Sequence, residues 1–219
     1  MTQKQKRSFD DLENAETTQE TDEKEERQLH YWLMKAEPDT RFVNGTDIAF
    51  DYEMLEELTK NGEYKAWGGV RNYEARNMIK SEMKLGDLVF FYYSNCKPPR
   101  IAGVMEICRE AFPEANAFNK ENPYYDPKSD PERPRWFSIG VKAKFKLKRE
   151  IPLHELRMYS NNQLANMESL KRSRLSVSRV SPREWQFILD LAEQASPDAT
   201  SFYIKKRRKL EEHLKDVHP

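Results

Sequence analysis

The chain has 219 residues, enough for one sizeable domain with length to spare. Its 37 Lys and Arg match its 37 Asp and Glu, so overall charge selects no partner and any nucleic-acid contact must be a local patch. No apolar run approaches the ~18 residues of a membrane span, and the polar N-terminal stretch does not resemble a signal peptide. Cys96 and Cys108 fit neither a metal-ligand spacing nor a disulfide framework. The expectation is a soluble, intracellular, monomeric protein without metal, cofactor or membrane contact.

Residues 1–29 are poor in aromatics and rich in Glu, Gln, Thr and Lys, and are expected to remain a disordered acidic and polar tail. Folded sequence begins at Tyr31-Trp32-Leu33-Met34-Lys35, a strand pattern stopped by Glu37-Pro38-Asp39. Asp51 can N-cap a helix carrying Met54, Leu55 and Leu58, which Gly62 closes.

The stretch Trp67-Gly68-Gly69-Val70-Arg71-Asn72-Tyr73 organises the rest. Its glycines permit positive φ or close approach of a ligand, and Arg71 and Asn72 present donors and acceptors suited to a base edge or a phosphate. A helix is expected over 73–80, with Ala75, Met78 and Ile79 inward and Arg76 and Lys80 one turn apart. Taken alone, a glycine turn entering a surface helix, with Trp67 in the core, is the simpler reading.

Leu88-Val89-Phe90-Phe91-Tyr92-Tyr93 reads as a buried strand, and its exit Ser94-Asn95-Cys96 puts small polar groups at a strand end. A second strand over 101–107 follows at hairpin distance. Residues 113–135 form a long loop containing Tyr124-Tyr125-Asp126-Pro127; loops of this length tend to be functional or disordered, and the embedded aromatics favour the first. After Trp136, apolar Val141, Ala143, Phe145 and Leu147 alternate with Lys142, Lys144, Lys146 and Lys148, predicting one buried face and one lysine stripe. Solvated charge guarding a sheet edge explains the stripe better than a rail for phosphates.

Short helices are expected near Pro152 and through Leu164, Met167 and Leu170. Lys171-Arg172-Ser173-Arg174 then leads into a brief strand, Leu175-Ser176-Val177. Ser181-Pro182-Arg183-Glu184 is a capping box opening a helix whose Trp185, Ile188, Leu189 and Ala192 belong to the core. Beyond residue 195 the chain turns polar, and Lys205-Lys206-Arg207-Arg208-Lys209 reads as a nuclear-localisation cluster on a basic tail over 196–219. The whole predicts an α+β domain over 30–195 whose strands curl into a small barrel.

Signatures of catalysis are missing from the sequence: there is no nucleophile elbow, P-loop or dinucleotide fingerprint, and His154 has no nucleophile pattern nearby. A nuclease or base-processing enzyme using Asp126 or Glu37 as general base is the least favoured reading. What remains is a set of aromatics near strand ends, Trp32, Trp67, Tyr92, Tyr125 and Trp136. They are interleaved with Arg71, Asn72, Ser94, Asn95, Arg174 and Ser176. Such a set could stack a flipped base and hydrogen-bond its edge.

The same residues carry a family resemblance. Trp32-Leu33-Met34-Lys35-Ala36-Glu37-Pro38, the stretch 67–77, Gly86-Asp87 and Phe91-Tyr92-Tyr93-Ser94-Asn95 together resemble an EVE domain, as do Tyr125-Asp126-Pro127, Pro134-Arg135-Trp136 and Arg174-Leu175-Ser176-Val177. The likeness spans about residues 30–192. It implies a PUA-like fold, a mixed β pseudobarrel with flanking helices related to the YTH readers of methylated RNA. It also implies a pocket for modified bases, particularly cytosines bearing a methyl or hydroxymethyl group. Gly68, Ala36, Tyr93 and Ser178-Arg179 depart from the family pattern, and the first and third of these are expected beside the pocket. On this reading the protein is a nuclear, non-enzymatic reader of a modified base in DNA. Trp67, Tyr92 and Trp136 are candidate walls; Asn72, Ser94 and Asn95 read the base edge; Lys35, Arg71, Arg76 and Arg174 hold phosphates. Trp32, Val70 and Ser176 complete the expected site. An RNA reader of the YTH kind is the second reading.

Overall fold

The computed structural model describes residues 28–194, so the N-terminal tail through residue 27 and the basic cluster at 205–209 lie outside the described residues. In chain order, strand β1 (Tyr31–Ala36) leads to a small hairpin of β2 (Phe42–Val43) and β3 (Thr46–Asp47), then to helix α1 (Tyr52–Lys60) and β4 (Lys65–Trp67). Helix α2 (Tyr73–Asn77) runs on as a π-helical turn (Met78–Glu82) before β5 (Leu88–Tyr93) and β6 (Arg100–Pro113). After the long loop come β7 (Phe137–Pro152), α3 (Leu153–Met158), α4 (Glu168–Lys171), β8 (Val177–Val180) and α5 (Pro182–Glu193).

Six strands form one sheet in the order β4-β7-β6-β5-β1-β8, antiparallel throughout except for β1 beside β5. Both faces of its centre are buried, which suits a parallel pair. Along β1, Trp32, Met34 and Ala36 enter one core cluster and Leu33 the other; along β5, Phe91 and Tyr93 oppose Phe90 and Tyr92 in the same way. The first cluster is capped by α1, α2 and the π-helical turn, the second by α3, α5 and the segment between α3 and α4. Four register shifts between β6 and β7 bend this long pair. The sheet therefore curls into the mixed pseudobarrel with flanking helices.

Local signals start α1 and α5 where the sequence predicts them. Asp51 accepts from the Met54 backbone N–H at 2.8 Å to start α1, and Gly62 follows its end at φ +79°. Both bonds of the Ser181–Glu184 capping box form at the start of α5. Four expectations change. The helix expected through Leu164, Met167 and Leu170 forms only as α4, after a run of turns that holds Leu164. The brief strand expected over Leu175-Ser176-Val177 starts only at Val177 and continues to Val180. The helix over 73–80 is α-helical only to Asn77. The strict alternation of β7 breaks where Ala143 pairs Met105 but Phe145 pairs Val104; Phe145 stays 43% exposed rather than buried. Three of the four lysines opposite are paired with carboxylates, Lys144 with Glu106, Lys146 with Glu53 and Lys148 with Glu193, while Lys142 donates to the Gly62 carbonyl. The stripe is solvated, neutralised charge.

Trp185 anchors α5 on the sheet, stacked on Phe90 at 3.9 Å between centroids and on Tyr31 at 4.7 Å. With so large a ring buried, Trp185→Ala should cost ~3–5 kcal/mol of stability, read as a lowered midpoint in denaturant unfolding.

Candidate functional site

Because β1 and β5 run parallel, both end at the same rim of the sheet, and antiparallel β8 begins there. Curling brings the other edge round to meet them. The glycines after β4 and Ser176 before β8 sit at opposite ends of the strand order, yet line one cleft of about 530 Å³. Lys35 and Glu37 from the end of β1, Trp67 through Val70, and Tyr92, Ser94 and Asn95 from the end of β5 complete the strand-borne part. Tyr124 of the long loop closes one side; Ser173 and Arg174, with Leu153, Arg157 and Leu170, close the other.

The stretch after β4 is shaped by protein neighbours rather than left open for a ligand. A Cβ on Gly68 would lie 2.7 Å from Ser138 Oγ and 3.0 Å from the Glu114 carboxyl carbon; one on Gly69, already at φ +77°, would lie 2.8 Å from the Tyr124 ring. Arg71 links these neighbours. Its guanidinium donates to both oxygens of Glu114 at 2.9 Å and to the Tyr124 carbonyl oxygen, and lies 5.3 Å from the Tyr124 ring centre. Glu114 is only 1% exposed, so this bidentate pair fixes the loop aromatic at the cleft wall.

Trp67 is 7% exposed and packs edge-on against Phe91 and Phe50, so it is a wall of the cleft and a core residue together. Ser94 donates through Oγ to the Ala36 carbonyl at 3.0 Å. Asn95 Nδ2 donates to Glu37 at 3.3 Å, and Glu37 receives Arg41 on both oxygens at 2.6 and 2.7 Å. An adjoining hollow of about 310 Å³ shares Lys35, Glu37, Trp67, Gly68 and Tyr124 and adds Lys65 and Phe50. Lys35 Nζ donates to the Ser173 carbonyl at 2.7 Å, and Lys65 Nζ sits 4.3 Å from the Phe50 ring centre. Neither lysine meets a carboxylate among the described residues, and burial pushes both amines below their ordinary pKa. Two half-buried, unneutralised cations beside an aromatic cleft are suited to an anion attached to a planar group.

Of the expected site residues, Lys35, Trp67, Val70, Tyr92, Ser94, Asn95, Arg174 and Ser176 meet in the cleft. The others do not, each because its polar group is taken elsewhere. Trp32, 3% exposed, donates its indole N–H to buried Asp87 at 3.0 Å inside the core. Trp136 donates to Asp126 at 2.7 Å and stacks on Tyr73, bracing Arg71 from behind. Arg71 is held by Glu114. Asn72 caps α2, its side-chain oxygen accepting from the Glu74 and Ala75 backbones. Arg76 lies over the Tyr73 ring and donates to Asn77 and to the Arg135 carbonyl. Tyr124, not Tyr125, is the loop aromatic of the cleft, and no periodicity inside a loop separates the two. Tyr93, a departure from the family pattern, faces the other core cluster, its hydroxyl accepting from the Tyr52 backbone N–H. Asp126, weighed as a general base, is held below the usual carboxylate range by the Lys128 backbone N–H and the Trp136 indole, which makes it a poor one. A larger groove of about 1460 Å³ runs between the start of β1 and α5. It contains Trp32 alone of the expected residues, and its Arg179 is paired with Glu82 and Glu168.

Comparison with known proteins gives this geometry its setting. The EVE domain model matches residues 30–191. Thymocyte nuclear protein 1 of Homo sapiens is 43% identical over 170 residues, spanning 75% of this chain and 74% of its own length. An uncharacterized protein of Schizosaccharomyces pombe is 53% identical over 194 residues, spanning 89% of this chain and 79% of its own. The crystal structure of human THYN1 protein in complex with 5-methylcytosine-containing DNA superposes with a TM-score of 0.72 at 42% identity, over 76% of this chain and 99% of that one. The chain belongs to the EVE domain family.

Proposed function

We propose that this protein is a nuclear, non-enzymatic reader of DNA that receives a modified cytosine, methylated or hydroxymethylated, in the cleft between Trp67, Tyr92 and Tyr124. The observation that carries the reading is the cleft itself: aromatic walls around a nucleotide-sized space, bordered by lysines that no carboxylate among the described residues neutralises. The 42% identity to a protein crystallised with 5-methylcytosine-containing DNA supports it. Stacking on aromatic walls, ~1–3 kcal/mol per base, offsets much of an extrusion cost of a few kcal/mol. Glu37 supplies the carboxylate that suits the exocyclic amino group of cytosine, while Ser94, Asn95 and Ser176 offer further edge contacts. Lys35, Lys65 and Arg174 hold the backbone phosphates.

A competition panel of DNA and RNA oligonucleotides, matched in sequence and differing at one cytosine, tests this. Modified DNA should compete best, and equal competition by unmodified DNA, or stronger competition by RNA, would overturn the assignment. Tyr124→Ala should weaken modified-DNA binding by about tenfold or more while the melting temperature stays within a few degrees, because Tyr124 is half-buried at the cleft wall. Trp67→Ala should lose both binding and stability, since that ring also fills the core.

The lysines add a pH dependence. Burial lowers the free Lys65 amine, whereas a bound phosphate raises it again, so binding takes up a proton between the two values. Affinity should be flat below the lowered pKa and fall as pH rises through it. Lys65→Gln should flatten that fall and reduce the slope of log affinity against log salt by about one.

The basic cluster at 205–209 is the proposed nuclear address. Changing its five residues to alanine in a bulky fluorescent fusion should abolish nuclear enrichment in cell imaging.

A further inference from the structure

Phe42 is 68% exposed, more than any other large hydrophobic side chain among the described residues. It stands on the β2–β3 hairpin, whose turn residues Asn44 and Gly45 both take positive φ, 50° and 79°, as a two-residue hairpin turn requires. The hairpin is fastened to the cleft. Arg41, next to Phe42, binds both oxygens of Glu37; its backbone N–H donates to Asp47 Oδ1 at 3.0 Å, and its carbonyl accepts from Ile48 at 3.0 Å. The Phe50 backbone N–H closes the base of the hairpin on the Glu37 carbonyl at 2.8 Å. Thr46, Asp47, Ile48 and Ala49 line the hollow that adjoins the cleft, and Asp47 is the register partner of Phe42. A large apolar ring is thus carried toward solvent by a short, hydrogen-bonded arm at the rim of the cleft. The fold gains little from its burial there.

We propose that Phe42 is a wedge: as the modified cytosine leaves the duplex for the cleft, the Phe42 ring enters the base stack beside the vacated position and keeps the duplex open. This rests on the reading of the cleft as a modified-base site. Extrusion exposes the faces of the neighbouring base pairs and loses their stacking, and an apolar side chain inserted at that step covers those faces. The arm supplies what such a side chain needs, a fixed position relative to the cleft and a ring not engaged by the core. A single strand has no duplex to open, so the wedge acts on duplex DNA alone.

The test uses the full chain and one 5-methylcytosine oligonucleotide, presented as a duplex and as the same single strand, with 2-aminopurine beside the modified base reporting unstacking. Phe42→Ala should weaken duplex binding by about tenfold and remove most of the fluorescence rise on duplex binding. Its single-strand affinity and melting temperature should match wild type, and Phe42→Leu should recover part of the duplex affinity. Equal losses on duplex and single strand, or no loss on either, would overturn the wedge. If wild type prefers the modified duplex and Phe42→Ala binds that duplex as tightly as wild type, the wedge falls and the cleft assignment stands. If wild type shows no preference for the modified base, both fall.

Discussion

The parallel pairing of β1 with β5 is the constraint on which the rest of the structure depends. Six residue pairs, from Tyr31 with Leu88 to Ala36 with Tyr93, put the two strands side by side in the buried part of the sheet. Each end of the pair is locked by hydrogen bonds. At the start, fully buried Asp87 accepts from the His30 and Lys84 backbones and from the Trp32 indole. At the finish, the Ser94 backbone N–H and hydroxyl both donate to the Ala36 carbonyl. An unsatisfied carboxylate at Asp87 would cost several kcal/mol, so these donors hold the register as well as the strands. With that register set, Lys35, Glu37, Tyr92 and Asn95 emerge together at one rim, and the curled edges bring Trp67 and Ser176 to them.

The wall opposite β5 depends on a second device, the Arg71–Glu114 pair. A buried ion pair is a poor source of net stability, because desolvation consumes most of the attraction. Its contribution here is positional. Two parallel N–H···O bonds and a third bond to the Tyr124 carbonyl fix a loop aromatic against Gly69, where any side chain would collide. Trp136, tied to Asp126, supports the guanidinium from behind. The residues most suggestive of ligand contact in the organising stretch thereby become the scaffold for a neighbour that lines the cleft.

Charge is distributed with the same economy. A chain with equal numbers of acids and bases acquires a local positive patch only where cations lack partners. Three of the β7 lysines, Lys144, Lys146 and Lys148, have carboxylates, and so do Arg41, Arg71, Arg149 and Arg179; Lys142 donates to the Gly62 carbonyl instead. Among the described residues Lys35 and Lys65 meet no carboxylate, and both flank the cleft. Since both are half-buried, an incoming phosphate meets little competing solvent, and salt screens the attraction less than it would at the open surface.

What the sequence determined by itself is what neighbours along the chain enforce. Asp51 and Ser181–Glu184 start their helices because a cap binds backbone donors two or three residues away. The apolar run of β5 and the spacing of Trp185, Ile188 and Ala192 predict burial because periodicity alone sorts faces. The motif resemblance carried the family and fold, and with them eight of the residues that line the cleft. Tertiary structure decided the fate of each polar and aromatic group whose partner is remote in sequence. Arg71 meets Glu114 across 43 positions and Trp32 meets Asp87 across 55, so neither remains for a ligand. Asn72 was misread for the opposite reason: its amide suits a base edge and a helix start equally, and the free N–H groups of α2 lie closer. Tyr124 and Tyr125 are indistinguishable in a loop without a repeat, and Phe145 was exposed by a shift of register against β6. A buried charge or indole N–H must find a partner wherever the fold supplies one, and that search runs through space rather than along the chain.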